Sequence, residues 1–392
     1  MSAGSCCRAL DIDMERKKTR QIDVGGIKIG GGAAISIQSM TNTFTEDIKA
    51  TTEQIRRLSD AGCDICRLAV PSEKAATAFG EIKRSLRADG INVPLVADIH
   101  FDYKLAIASI NAGADKIRIN PGNIGDTERI KAVVDAAGMV GLPIRIGVNS
   151  GSLEKDILES FGGSSAEALA KSALRNAAII EKMGFSDLVV SIKSSNVEET
   201  LKAHRLFSEN SDLPLHIGIT EAGVGLSAVI KSSVGIGALL SEGIGDTMRV
   251  SLTGDPVTEI PVARGILRSL GLLPGAIELI SCPTCGRTKS DLKKIASDVA
   301  KALDSIEIEQ INREKNKLRV GNTAQVSVDE KHITVAVMGC AVNGPGEAAQ
   351  ADLGVACGEN NAVYFEKGEK IKTVASGEIV SVLLEGVKKL LL

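Results

Sequence analysis

Two groups of residues in this chain carry chemistry beyond ordinary packing. The first begins with Cys282-Pro-Thr-Cys285-Gly-Arg287. A third cysteine, Cys340, follows 55 positions later inside Gly339-Cys-Ala-Val-Asn-Gly-Pro-Gly346-Glu347, and Cys357 comes close behind. A CxxC pair with a later thiol in a glycine-rich loop is a metal or cluster signature. Four thiolates closed into a tetrahedron would suit structural zinc, which stands as the alternative. Glycine and proline in these loops let backbone N–H groups approach cluster sulfides, and that favours iron–sulfur over zinc. On a count of thiols alone, Cys357 is the fourth ligand.

The second group is cationic. Arg67, Arg118, Arg145, Lys193 and Arg249 each fall near the C-terminal end of a different apolar run, with Asn149, Thr220, Glu221 and Ser251 beside them. A single arginine at such a place is most simply a solvated ion pair. Five cations gathered at one mouth repel each other unless an anion joins them, so the ligand should carry several negative charges. The Glu221-Ala-Gly-Val-Gly225 turn offers backbone N–H groups to a phosphate, although a short GxG is weak evidence by itself. Glu221, expected deepest in the cationic ring, is the candidate acid or base. His100 and His216 are alternative acids or hydrogen-bonded structural histidines. Lys193 could instead form a Schiff base.

The elements that must position these residues are legible as a repeat. Short β-branched or apolar runs occupy 35–40, 66–71, 94–100, 116–121, 143–149, 187–194, 214–221 and 247–253, their starts about 30 residues apart, the length of a βα unit. Helical patterns lie between them. One has Thr45 as its expected N-cap, Ile48, Ile55 and Leu58 inward, and Gly62 as its stop. Asp255-Pro256 opens the last, and Gly271 follows it. Eight such units predict an α/β fold, a closed (β/α)8 TIM-type barrel, with an open doubly wound sheet as runner-up. A hairpin with its turn at Gly25-Gly26 should cap the barrel floor. The long gap after the fifth run, 150–165, reads as a lid. A small α/β iron–sulfur domain with the cysteines at strand ends follows. The expected boundaries are 1–18 for a flexible tail, 19–272 for the barrel and 273–392 for the second domain.

Composition narrows the class. The 392 residues include 46 Lys+Arg against 49 Asp+Glu, for a net charge of −3. That balance and an aromatic content of 2% argue against a nucleic-acid or membrane-surface binder. There is no run of 18 apolar residues to span a bilayer, and 1–18 lacks the apolar stretch of a secretory signal, so the expected location is cytoplasmic. In that compartment the eight cysteines are not a disulfide framework. Cys63 and Cys66 read as buried structural residues, and Cys6-Cys7 receives no role.

Seven segments together resemble the 4-hydroxy-3-methylbut-2-enyl diphosphate synthase family of the methylerythritol phosphate route. They are Ile37-Gln-Ser-Met-Thr41, Ala97-Asp-Ile-His100, Lys116-Ile-Arg-Ile-Asn-Pro-Gly122, Ile144-Arg-Ile-Gly-Val-Asn149, His216-Ile-Gly-Ile-Thr-Glu-Ala-Gly223, Cys282-Pro-Thr-Cys-Gly-Arg287 and Met338-Gly-Cys-Ala-Val-Asn-Gly-Pro-Gly-Glu347. The resemblance runs from about residue 19 to the C-terminus and is closest to the two-domain bacterial type. It implies reductive ring opening and dehydration of 2-C-methyl-D-erythritol 2,4-cyclodiphosphate to (E)-4-hydroxy-3-methylbut-2-enyl diphosphate. Electrons would come from reduced flavodoxin or ferredoxin through a 4Fe-4S cluster. It further implies a homodimer in which one subunit's cluster domain closes over the other's barrel. Arg67, Arg118, Arg145, Lys193 and Arg249 would then bind the diphosphate, helped by Asn149, Thr220 and Ser251. Cys282, Cys285, Cys340 and Glu347 would hold the cluster, and Glu221 would be the acid/base residue. A zinc-stabilised lyase using Lys193 and a non-catalytic electron carrier remain the competing classes.

Overall fold

The computed structural model describes residues 15–319, 332–340 and 348–391, so Cys6, Cys7 and Glu347 lie outside the described residues. It divides into two compact units, Met1–Leu270 and Gly271–Leu392.

The first unit begins with an antiparallel hairpin, β1 (Ile22–Val24) and β2 (Ile27–Ile29). Gly25 and Gly26 both take positive φ, as a two-residue turn matched to the strand twist requires. Ile22, Val24 and Ile29 pack on Ile65, Val96 and Val189, closing the barrel floor. Burying each such side chain contributes about 1.5–3 kcal/mol. Residues 15–18, expected as tail, are instead tied down. Arg16 reaches Ala33 O and Asp246, and Lys17 N donates to Gly243 O.

Eight parallel strands follow: β3 (Ser36–Met40), β4 (Ile65–Ala69), β5 (Leu95–Asp98), β6 (Lys116–Ile119), β7 (Ile144–Asn149), β8 (Leu188–Lys193), β9 (His216–Ile217) and β10 (Thr247–Met248). Their order is β8-β7-β6-β5-β4-β3-β10-β9, and a parallel bridge between Val190 and Leu215 closes the ring. The closed-barrel expectation is met, although β9 and β10 are shorter than their sequence runs. At Gly218, just past β9, a Cβ would stand 2.5 Å from Arg249 O, so the two backbones approach where the ladder ends.

Helices cover the barrel, and their caps follow short polar side chains. In α1 (Ile48–Asp60) the cap is Asp47, which accepts from Ala50 N, and not Thr45. Thr45 donates to Ala69 O, a tertiary bond that local pattern does not show. Ile55 and Leu58 are buried as expected. The segment expected as a lid forms a short 3-10 turn and α6 (Lys155–Phe161), docked on α7 (Ala166–Glu181). Glu154 accepts there from Ser172 and Asn176, and Arg175 pairs with Asp156. The other helices of this unit are α2 (Glu73–Ala88), α3 (Tyr103–Asn111), α4 (Pro121–Ile124), α5 (Thr127–Met139), α8 (Val197–Asn210), α9 (Gly225–Ser241) and α10 (Glu259–Ser269).

The second unit is a five-stranded sheet. Strands β11 (Ile277–Ser281), β12 (Ile333–Met338) and β13 (Leu353–Cys357) are parallel, and β14 (Asn361–Glu366) and β15 (Glu369–Ala375) are antiparallel. Helices α11 (Leu292–Arg319) and α12 (Ile379–Leu390) bury Val299, Leu303, Leu383 and Val387 against one face of the sheet. Among the described residues no helix is long and apolar enough to cross a membrane.

Candidate active site

Strand alternation turns Arg67, Asp98, Arg118, Arg145 and Lys193 into the barrel interior. Arg118, Arg145 and Lys193 are buried, and the Arg67 and Arg249 side chains retain 11% and 15% of their exposure. Two carboxylates answer these cations. Asp98 lies 3.3 Å from Arg118 Nη1, 3.8 Å from Arg67 Nε and 3.4 Å from His100 Nε2. Glu259 takes Arg249 in a fork, with Nη2 at 3.0 Å and Nε at 3.1 Å, and also accepts from Ser39 Oγ at 2.7 Å. Met40 Sδ accepts from Arg67 Nε and Nη2 at 3.0 and 2.9 Å, which orients that guanidinium without neutralising it.

The balance is strongly cationic. Among the described residues, all three nitrogens of the Arg145 guanidinium, and Arg118 Nε, have no hydrogen-bond partner. Arg118 and Arg145 are direct cross-strand partners, a like-charge pairing that destabilises a sheet. Gly147 accommodates it, since a Cβ there would stand 2.3 Å from Arg118 Nε. Burial, together with the neighbouring Arg118 and Arg249, pushes the Arg67 guanidinium down to about 10, against the opposing pull of Asp98. Burial and then Arg67 and Arg118 hold Arg145 well below its ordinary range. Lys193 is depressed by burial and then by Arg67, Arg145, Arg249 and Arg118. Burial alone would raise the Asp98 carboxyl. Arg67, the His100 hydrogen bond, Arg118 and Arg145 outweigh it and keep that group well below the carboxylate range.

The remaining sequence candidates stand around this centre. Asn149 ends β7 with its amide oxygen, suitably turned, 3.1 Å from Arg118 Nη2. Thr220 and Ser251 are half-buried in the segments beyond β9 and β10. Glu221 is not deepest in the ring. It is exposed, and it holds a φ of 51°, the left-handed region that is strained for a residue with a Cβ. Cys63 and Cys66 are buried with sulfurs 3.9 Å apart. Sequence reasoning passed over Met40, Glu259, Gln38 and Lys116. Lys116 had a signal, since it sits two residues before Arg118 on one strand and so shares its face. His216, left open as an acid, is fully buried, and burial followed by Arg145, Lys193, Lys116 and Arg67 pushes it well down towards the neutral form.

In the second unit the cysteines leave neighbouring strand ends. Ser281 pairs with Val337 across β11 and β12, and Met338 pairs with Ala356 across β12 and β13. Cys282 Sγ accepts from Gly339 N at 3.2 Å. A Cβ on Gly339 would stand 2.9 Å from Thr288 and Leu292, so glycine lets the exit of β12 press on the turn that carries Cys285. The exposed Cys285 thiol is held low by the Arg287 backbone N–H and then by its side chain, which favours thiolate. Cys340 is half-buried. Cys357 is buried in the helix-facing core, and burial pushes its thiol up. Among the described residues no three His, Cys, Asp or Glu side chains converge tightly enough to hold a metal ion. Three soft thiols in neighbouring loops nonetheless fit an iron–sulfur group in their chemistry.

Comparison with known proteins finds matches for both units. The GcpE TIM-barrel domain matches residues 19–264, and the GcpE protein C-terminal domain matches residues 278–389. A relative named 4-hydroxy-3-methylbut-2-en-1-yl diphosphate synthase (flavodoxin) from Caldanaerobacter subterraneus subsp. tengcongensis is 54% identical over 375 residues, covering 96% of this chain and 98% of its own. Relatives of the same name from Ruminiclostridium cellulolyticum and Clostridium tetani are 50% and 49% identical, each over 96% of this chain and 99% and 100% of their own. With both domains matched in order and half of its residues shared with these relatives, the chain belongs to the GcpE family of 4-hydroxy-3-methylbut-2-en-1-yl diphosphate synthases.

Proposed function

We propose that this protein converts 2-C-methyl-D-erythritol 2,4-cyclodiphosphate to (E)-4-hydroxy-3-methylbut-2-enyl diphosphate, with reduced flavodoxin as electron donor. Two electrons and two protons enter, a ring C–O bond breaks, and one water leaves. The observation that carries the reading is the buried Arg145 guanidinium, unpartnered among Arg67, Arg118 and Lys193. A cyclic diphosphate supplies the negative charge that this interior lacks.

In this reading Arg67, Arg118, Arg145, Lys193 and Arg249 bind the diphosphate, with Asn149, Thr220 and Ser251 adding hydrogen bonds. Glu259 and Met40 fix the directions of Arg249 and Arg67. Glu221, on the rim, delivers the proton to the departing hydroxyl. Cys282, Cys285, Cys340 and Glu347 hold a 4Fe-4S cluster. When bound, that cluster passes electrons singly from flavodoxin to the substrate. The protein works as a cytoplasmic homodimer.

Anaerobic purification followed by iron and sulfide assay tests the reading. The expected result is both elements in the protein and turnover of the cyclic diphosphate with reduced flavodoxin. Zinc without sulfide, or a full cluster without turnover, overturns it.

A further inference from the structure

Beneath the mouth arginines lies a second set of polar side chains for which the proposed reaction has no task. Lys116 opens β6 two residues before Arg118, so both face the interior. Its Nζ is fully buried and has no hydrogen-bond partner among the described residues. His216 opens β9, equally buried. Its Nδ1 lies 3.4 Å from Thr247 Oγ1, and its Nε2 has no partner. Gln38, at the middle of β3, leaves both amide atoms unpartnered. Arg145 acts electrostatically on both Lys116 and His216, which ties this set to the mouth above it.

A buried donor left without an acceptor costs about 1–3 kcal/mol. Arginine and a protonated lysine can only donate, so the group that satisfies them must bring acceptor oxygens. The nearby acids are already engaged, Asp98 with Arg67, Arg118 and His100, and Glu259 with Arg249 and Ser39. We propose that Lys116, His216 and Gln38 form, with Arg145, a second tier of the anion site, which takes inner phosphate oxygens of the ligand. The inference rests on the phosphorylated substrate proposed above and assigns further residues to its binding.

Binding there should also draw protons from solvent, because of the surroundings of these groups. Burial, then Arg145 and Arg67, pushes Lys116 well below the ordinary lysine range. His216 and Lys193 are depressed in the same way, as described above. The groups that face this interior are Arg67 from β4, Asp98 from β5, Arg118 beside Lys116 on β6, Arg145 from β7, Lys193 from β8 and His216 from β9. Beyond β10 stand Arg249 and its partner Glu259. A phosphate placed among them opposes the cationic field, so a neutral amine or imidazole there regains its proton. That proton comes from the buffer, and no bond in the ligand breaks.

Titration calorimetry of the full-length chain with inorganic diphosphate reads affinity and proton uptake together. It is run in buffers of different ionisation enthalpy at about pH 8, between the ordinary histidine and lysine ranges. The expected result is net proton uptake on binding. Lys116→Met should take up fewer protons and bind diphosphate at least about tenfold more weakly, the loss of one hydrogen bond to a charged group. Its thermal unfolding should be no lower than wild type, because an unpartnered buried amine has been replaced by an apolar side chain. His216→Phe provides a second variant should the first not fold. Absence of uptake by the wild-type chain, or unchanged affinity and uptake in both variants, overturns the second tier. Failure of the proposed function looks different: diphosphate still binds with proton uptake, but the cluster-loaded chain does not turn over the cyclic diphosphate.

Discussion

The barrel interior and the cysteine-bearing edge of the second unit both gather groups that are unstable together, but they do so by different means. In the barrel, the charges sit inside strands. Arg118 and Arg145 are held opposite each other by the β6–β7 ladder, and Gly147 makes room for the closer guanidinium. Their repulsion is offset by the apolar floor and the helical shell, so the site's geometry is fixed before any ligand arrives. At the cysteine edge, Cys282, Cys285 and Cys340 follow strands β11 and β12 and lie outside the ladder. The fixed contact between the two strand exits there is Gly339 N to Cys282 Sγ. In the proposed reading the first site is preorganised by the fold, whereas the second would depend on the group it binds to complete it.

The sharpest way to break this comparison is to remove one group from each side. Cys282→Ser should abolish turnover and lower iron and sulfide content, while calorimetric affinity for diphosphate stays at the wild-type value. Glu221→Gln should abolish turnover equally and leave the cluster's visible spectrum unchanged. If Glu221→Gln loses the spectrum, or Cys282→Ser loses diphosphate binding, the two sites are not independent.

Next in size is Glu259→Gln. The carboxylate is buried and forks onto Arg249, and Ser39 Oγ and Leu252 N also donate to it. Removing its charge leaves the partly buried Arg249 uncompensated, which costs about 1–3 kcal/mol of stability. Denaturant unfolding should show that loss, together with a raised KM. An unfolding midpoint equal to wild type would mean that Glu259 positions nothing.

The arginines themselves should behave differently. Arg118→Ala and Arg145→Ala should each weaken binding of the cyclic diphosphate by about 1.5–3 kcal/mol, the range for hydrogen bonds to a charged group. Among the described residues the Arg145 guanidinium has no hydrogen-bond partner to orphan, so its removal should not lower the unfolding midpoint as Glu259→Gln does. Equal calorimetric affinity in wild type and both variants would remove these residues from the site.

The same contrast explains what could be read from the residues alone. The barrel's eight runs were legible because strand and helix periods alternate at a constant spacing. The cations were expected at strand ends, whereas Arg67 and Arg145 lie within β4 and β7. Glu259 was not, because nothing in a helix's first turn announces that its carboxylate reaches across to Arg249. Asp47 displaced Thr45 as a cap because a tertiary acceptor, Ala69 O, claimed the threonine hydroxyl. Glu221 was placed too deep because β9 stops at Ile217, and the chain beyond it carries that side chain out to the rim. Lys116 could have been found from strand parity, yet only closure of the barrel shows that its nitrogen is buried without a partner.

The smallest expected effect tests the cysteine edge most finely. Counting thiols makes Cys357 a ligand, and it ends β13 beside the exit of β12. Its side chain, however, is 2% exposed and packs with Val299, Val337 and Leu383 in the helix-facing core. Burial pushes its thiol up, away from the thiolate that a metal needs, whereas Cys285 is exposed and held low by Arg287. Cys357→Ser should therefore keep iron, sulfide and turnover, at a cost of about 1 kcal/mol in stability for a hydroxyl in an apolar core. Glu347→Ala should retain the fold but lose turnover and leave the cluster prone to loss, since a carboxylate is the weaker, exchangeable ligand of a soft iron. Loss of the cluster from Cys357→Ser, with full activity in Glu347→Ala, would exchange their roles and make the site a closed four-thiolate one.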